Sequence, residues 1–160
     1  MDIEHGKIDF AAKVEIIKQQ AESIINNGDE AIPVFIIFGD GENYAIPFND
    51  VPKDAFKPIF TSLMRKLGAS AYIQVTEAYA SLMPKDSENA KLILENKIQV
   101  RDLPMDDRQD IVCLIACERG KSVLQYHAKI DTDAGNKRTV GKWQEPSSGE
   151  IKGRLVIESW

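Results

Sequence analysis

At 160 residues the chain is long enough for one domain and short for two. Apolar residues make up 43% and charged residues 28%, so a core can form without a disulfide or metal staple, and the chain as a whole is not disordered. A net charge of −5 repels a phosphate backbone, which disfavours nucleic acid as a partner; the longest basic cluster, Lys137-Arg138 with Lys142 nearby, is diluted by Asp131 and Asp133.

Met1 to Lys7 carries no apolar stretch of the secretory kind, and the longest apolar run, Ile32 to Phe38, is far too short to span a bilayer. A cytoplasmic location is therefore expected, with no membrane as partner. Phe10, Val14, Ile17, Ala21 and Ile24 recur at helical spacing and predict a helix from Asp9 to Asn26, stopped by Asn27-Gly28. Val34 to Phe38 reads as a buried strand, with Pro33 at its entrance. Asp40-Gly41 predicts a hairpin through a type I′ turn, and Asn43 to Phe48 is the return strand.

A second helix is expected from Asp54 as its cap, with Pro58 in the first turn, where no intrahelical donor is lost. Phe56, Ile59, Phe60, Leu63 and Leu67 line one face of it, and Gly68 ends it. Ala71 to Thr76 is a third strand. Residues 80–105 read as an irregular, mobile insertion with a short helix over 88–96, because the segment is long and poor in aromatics. Ile111 to Cys117 and Ser122 to Ile130 form a second hairpin around Arg119-Gly120, and short strands follow at Thr139 to Trp143 and Arg154 to Glu158. This order predicts one α+β domain over 1–160: a mixed, mostly antiparallel sheet of two hairpins plus a central strand, with two main helices packed on it.

Motifs for known chemistry are missing. Neither a phosphate loop nor a dinucleotide fingerprint is present, and Gly39-Asp40-Gly41 precedes a strand, so it is a turn. The two cysteines, Cys113 and Cys117, are four apart on one predicted strand and point to one face of it; with His5 and His127 they do not make a zinc set. No metal and no cofactor are expected. A thiol with His127 as its base is conceivable within one hairpin, but strand cysteines usually act as small apolar side chains.

Two polar clusters sit near strand ends: Thr76-Glu77-Ala78-Tyr79, and Asp106-Asp107-Arg108-Gln109-Asp110. If their strands are neighbours, Glu77 can meet Asp107 and Arg108. That would be either a salt bridge pinning the ends of the insertion, the favoured reading, or a general-base or substrate site. Trp143 follows Val140-Gly141 and precedes a loop, where tryptophan suits an interface. Trp160 either docks on the domain or makes an outside contact.

The same residues carry a resemblance. Val75-Thr76-Glu77-Ala78-Tyr79, Leu103-Pro104-Met105-Asp106-Asp107-Arg108-Gln109-Asp110, Val140-Gly141-Lys142-Trp143 and Gly153-Arg154 resemble the T-E-A-W/Y, P-x-x-D-R-x-E, L-G-x-W and G-R stretches of a family of small bacterial and phage proteins. That family has no assigned activity, so the resemblance implies an α+β fold and no function. The departures are Tyr79 for the commoner Trp, Asp110 for Glu, and a longer insertion before Pro104. The element order is also similar to the start of the cytidine-deaminase fold. The zinc motifs of those enzymes are absent, since the second helix opens with Pro52-Lys53-Asp54-Ala55-Phe56.

The leading expectation is a non-enzymatic binding or protein-interaction module, as a homodimer or with another protein. Glu77, Tyr79, Asp107, Arg108, His127 and Trp143 are its candidate binding residues. The alternative is a metal-independent enzyme using Glu77, Asp107, Arg108 and His127. Proximity of those four groups would favour the enzyme, and dispersal would favour the module.

Overall fold

The computed structural model of the chain describes residues 9–31, 33–81, 88, 91, 92, 95, 97, 108–144, 146 and 155–160. Its elements are α1 (Phe10–Asn26), β1 (Val34–Phe38), β2 (Asn43–Pro47), α2 (Lys53–Lys66), β3 (Ala71–Ser81), β4 (Arg108–Glu118), β5 (Leu124–Thr132) and β6 (Arg138–Val140). The strands form one antiparallel sheet in the order β2-β1-β3-β4-β5-β6, with the two helices against it, which is the α+β architecture the residue pattern predicts. Among the described residues, no helix is long and apolar enough to cross a membrane. Most of the expected insertion over 80–105 lies outside the described residues, although its first two positions extend β3 and Glu88, Lys91 and Leu92 are helical.

Alternation along the strands sends side chains to two separate cores. On the α1 face, Ile73 and Val75 of β3, Val112 and Leu114 of β4, and Ala128 and Ile130 of β5 pack with Val14, Ala21 and Ile25 of the helix. On the α2 face, Phe35 and Ile37 of β1, Tyr72 of β3 and Ile115 and Cys117 of β4 pack with Phe56, Phe60 and Met64. Phe35 alone touches three aromatic rings, Phe56, Phe60 and Tyr72. The chain's last segment closes this side. The Tyr72 hydroxyl donates to the Ile157 carbonyl at 2.7 Å and accepts from the Ile157 N–H, and the Trp160 indole donates to the Ala69 carbonyl at 2.7 Å. Trp160 therefore docks on the domain.

Local details depart from the sequence pattern in four places. Helix α2 starts at Lys53 with Pro52 at its N-cap, so Asp54 falls in the first turn and Pro58 lies inside the helix. Starting early aligns Phe56, Phe60 and Met64 as the buried stripe and leaves Ile59 49% exposed, at the cost of the backbone donor Pro58 lacks. The first hairpin turn is not type I′. Gly41 has φ +79 but Asp40 stays out of the left-handed region, and the loop closes through the Gly39 N–H on the Glu42 carbonyl. β6 ends at Val140, because Gly141 bonds the Lys129 carbonyl and Gln144 the His127 carbonyl while Trp143 turns inward to the helix. Within the expected strand over 154–158, residues 155–158 are not in a strand: Val156 and Ile157 are buried by side-chain packing and by Tyr72 instead of by a neighbouring strand.

The helix α1 is capped as its sequence suggests. Asp9 accepts from the Ala11 N–H, and Gly28, at φ +92, lets Gly28 and Asp29 donate back to the Ile25 and Ile24 carbonyls. Its rotation about its own axis is a different matter. The buried positions are Val14, Lys18, Ala21 and Ile25, whereas Ile24, assigned to the core by spacing, is 43% exposed and Ile16 is equally so. A lysine takes the inward place. Its methylenes cross the core edge while its ammonium bonds Glu15 at 2.9 Å and sits 4.0 Å from the Tyr126 ring centre and 5.6 Å from that of Trp143.

Candidate functional site

Glu77 lies on β3, facing α1, and its carboxylate is fully engaged. One oxygen accepts from the Ala31 N–H at 2.6 Å, and the other takes the guanidinium of Arg138 from β6. Arg138 also reaches the Asp29 carbonyl at 3.2 Å, so the pair clamps the chain leaving α1 onto the far edge of the sheet. The Glu77 hydrogen bond and charge hold Arg138 above its ordinary pKa. The expected partner, Arg108, stands opposite Ser81 in the register, four residues from Glu77 and about 13 Å along the strand. Asp107 and the side chains of Tyr79 and Arg108 lie outside the described residues. The Glu77 partner that sequence reasoning missed, Arg138, was visible only as part of a diluted basic cluster 61 residues away.

His127 and Trp143 fall on opposite sides. Trp143 packs on the α1 core and donates its indole N–H to Glu22 of the helix. His127 is half-buried on the α2 face, directly across from Cys113. Among the described residues no hydrogen bond joins the two, and burial pushes the Cys113 thiol up to about 11, the reverse of what a nucleophile needs. Cys117 is pushed up to about 11 as well, by burial first and by the Glu118 charge, and its thiol donates to main-chain carbonyls. Both cysteines are free, buried and on one face of a central strand. Glu77 and His127 are thus separated by the sheet itself, and among the described residues no group of histidine, cysteine and acidic side chains could hold a metal ion.

The feature the residue pattern did not reveal is a groove. A helix covers about two strands, since its width is about 10 Å and strands are about 4.8 Å apart. Helix α1 lies closest to β4 and β6 and at its start reaches β1, where Phe10 and Lys13 pack on Phe38; further along, among the described residues, Val34 and Ile36 are only partly covered and Pro47 is exposed. The resulting groove has a volume of about 630 Å³ and a floor of Val34, Ile36, Pro47 and Val75; Ile17 and Ile24 form its wall. Asp29 and Glu30 stand where α1 stops, and no ion pair engages either carboxylate among the described residues. The signal in the sequence is an excess of isoleucine on α1. Ile16, Ile17, Ile24 and Ile25 occupy a wider arc than one sheet face can bury.

The chain matches no protein-family model, no curated protein and no solved structure.

Proposed function

We propose that the protein acts by binding, as an interaction module whose contact face is the groove between α1 and the β1–β2 edge. The observation that carries this reading is the rotation of α1. It turns Lys18 inward and leaves Ile24 43% exposed in the wall of an apolar groove, with Ile16, also 43% exposed, about two turns back along the helix. Large aliphatic side chains grouped at a concave surface mark contact sites, whereas scattered ones need no explanation. The polar residues nearby support the same reading, because Glu77, Arg138, Glu22 and Trp143 hold α1 in place and face one another. The resemblance to small bacterial and phage proteins belongs to this proposal and adds a fold without an activity.

Site-specific photo-crosslinking in the living host tests it. A benzophenone residue at Ile24 is expected to form discrete adducts, and the same residue at Ile59, an isoleucine 49% exposed on α2, is expected to form few. Equal yields from both positions, or none from either, would overturn the assignment.

A further inference from the structure

We infer that the occupant of the groove is a second copy of this chain, its α1 packed antiparallel against the first across a two-fold axis at Gln20. This rests on the interaction-face reading above and names its partner. The seam follows from helical geometry. Residues about three or four apart share a face, so Lys13, Ile16, Ile17, Gln20, Ile24 and Asn27 lie along the side of α1 turned from its own buried stripe of Val14, Lys18, Ala21 and Ile25. Apart from Ile17, whose mate would be Ser23, the series is symmetric about Gln20. Turned end for end, Ile16 meets Ile24 of the other copy, Gln20 meets its own mate, and Lys13 meets Asn27. An isologous contact requires this kind of self-complementarity.

Charge selects the same arrangement. Lys13 lies 4.6 Å from the Phe38 ring centre and has no carboxylate partner among the described residues. At the other end of the seam Asp29 and Glu30 are exposed, and among the described residues neither is in an ion pair, although the Glu30 charge acts on Arg138. Antiparallel pairing brings each Lys13 beside the other copy's acidic end, twice by symmetry. Parallel pairing would set lysine on lysine and acid on acid. The seam from Lys13 to Asn27 is about 21 Å long, and a helix laid along it covers the half-buried floor at Val34 and Ile36. The helices then lie between two sheets, and the sheet face left open in one copy is closed by the other. No charged side chain other than Lys13 falls on the seam, so no carboxylate or ammonium is buried alone by pairing.

Sedimentation equilibrium of the full chain tests the state, with an expected mass of twice 17.9 kDa at micromolar concentration. Ile24→Glu is expected to weaken dimerisation by at least 100-fold with the circular dichroism and melting of the monomer unchanged, since that side chain is already 43% exposed. Ile59→Glu, the same change on α2, is expected to leave the dimer intact. Gln20→Cys gives a direct reading of the axis. Under copper-phenanthroline oxidation it is expected to form a covalent dimer, while Gln19→Cys, one position off the seam, is expected to stay largely monomeric; the native thiols are buried and do not compete. A wild-type chain that remains monomeric to millimolar concentration, or a dimer that survives Ile24→Glu and does not crosslink through position 20, overturns the inference. If the chain is monomeric but photo-adducts from position 24 carry another protein's mass, the second-copy assignment falls and the interaction-face reading stands. If position 24 forms no adducts, both fall.

Discussion

On the α2 side of the sheet, Phe35, Phe48, Phe56 and Phe60 interlock with rings 4.6 to 6.3 Å apart, and Tyr72 and Trp160 extend the cluster to the end of the chain. On the α1 side the buried core residues are mostly aliphatic and often small, with Ala21, Ala31, Ala71, Ala116 and Ala128 among them, and the rings of Phe38, Phe10, Tyr126 and Trp143 lie toward its margins. There the helix is held at its margins by polar ties: Lys18 on Tyr126 and Trp143, Trp143 on Glu22, Asn26 on the Val140 N–H, and Glu77 on Arg138. Large rings fill the space between sheet and helix without help, so the first face closes on itself. Small side chains let α1 approach closely but fill little volume, so the second face is fastened at one side and, among the described residues, grooved at the other.

The sharpest way to break this contrast is to remove a ring. Phe56→Ala, at a fully buried position with three aromatic neighbours, is expected to cost about 3–5 kcal/mol in urea unfolding, because the surrounding rings cannot collapse into the space. A loss below about 1 kcal/mol would mean that the aromatic side is no more tightly packed than the other.

The thiols probe how dry that side is. Cys113, pushed up to about 11 by burial, ionises near 9.0 once the chain unfolds. Below pH 9 both states keep the proton and the full preference for the fold is present. From about pH 9 to 11 the unfolded chain releases a proton that the folded chain holds, so stability falls with rising pH. The share of Cys113 is on the order of 2 kcal/mol by pH 11. Tyr72, pushed up by burial, contributes in the same direction. The measurement is therefore the difference between wild type and Cys113→Ala, whose stability is expected to decline less steeply over this range.

On the α1 side the corresponding test is Arg138→Ala. It leaves the Glu77 carboxylate with the Ala31 N–H alone, in a pair whose side chains are 17% and 21% exposed. A partly buried pair of this kind is worth about 1–2 kcal/mol, between the exposed and the buried limits. Hydrogen exchange is expected to quicken at Asp29 and Ala31 before it changes in β3, since the clamp holds that connection. The smallest effect is expected at a buried polar group on the aromatic side. Gln74 is 1% exposed, and neither polar atom of its amide has a hydrogen-bond partner among the described residues. Gln74→Met, similar in shape and without that cost, is expected to stabilise the protein by about 1 kcal/mol, and a loss of stability would show that the amide is satisfied in solution.

The residues Val34 to Phe38 and Ile111 to Cys117 identify themselves as strands because β-branched and apolar side chains occur there in runs, and Asp9 and Gly28 mark the ends of α1 through capping chemistry that acts over a few residues. Those features, with the free cysteines on one strand face and the absence of any motif for metal or phosphate, depend on local order along the chain and were legible from it. Which face of α1 turns inward was not. Spacing ranks Ile24 above Lys18 for burial, and only the presence of Tyr126 and Trp143 across 108 and 125 residues of chain makes an inward ammonium favourable. The partner of Glu77 was hidden for the same reason, since a carboxylate is satisfied by whichever cation the register brings beside it, and strand pairing, which sequence does not state, brought Arg138. The groove is the furthest from the sequence. It exists because one helix covers about two strands and this sheet has six, a mismatch of widths that no residue records and that only the assembled layers create.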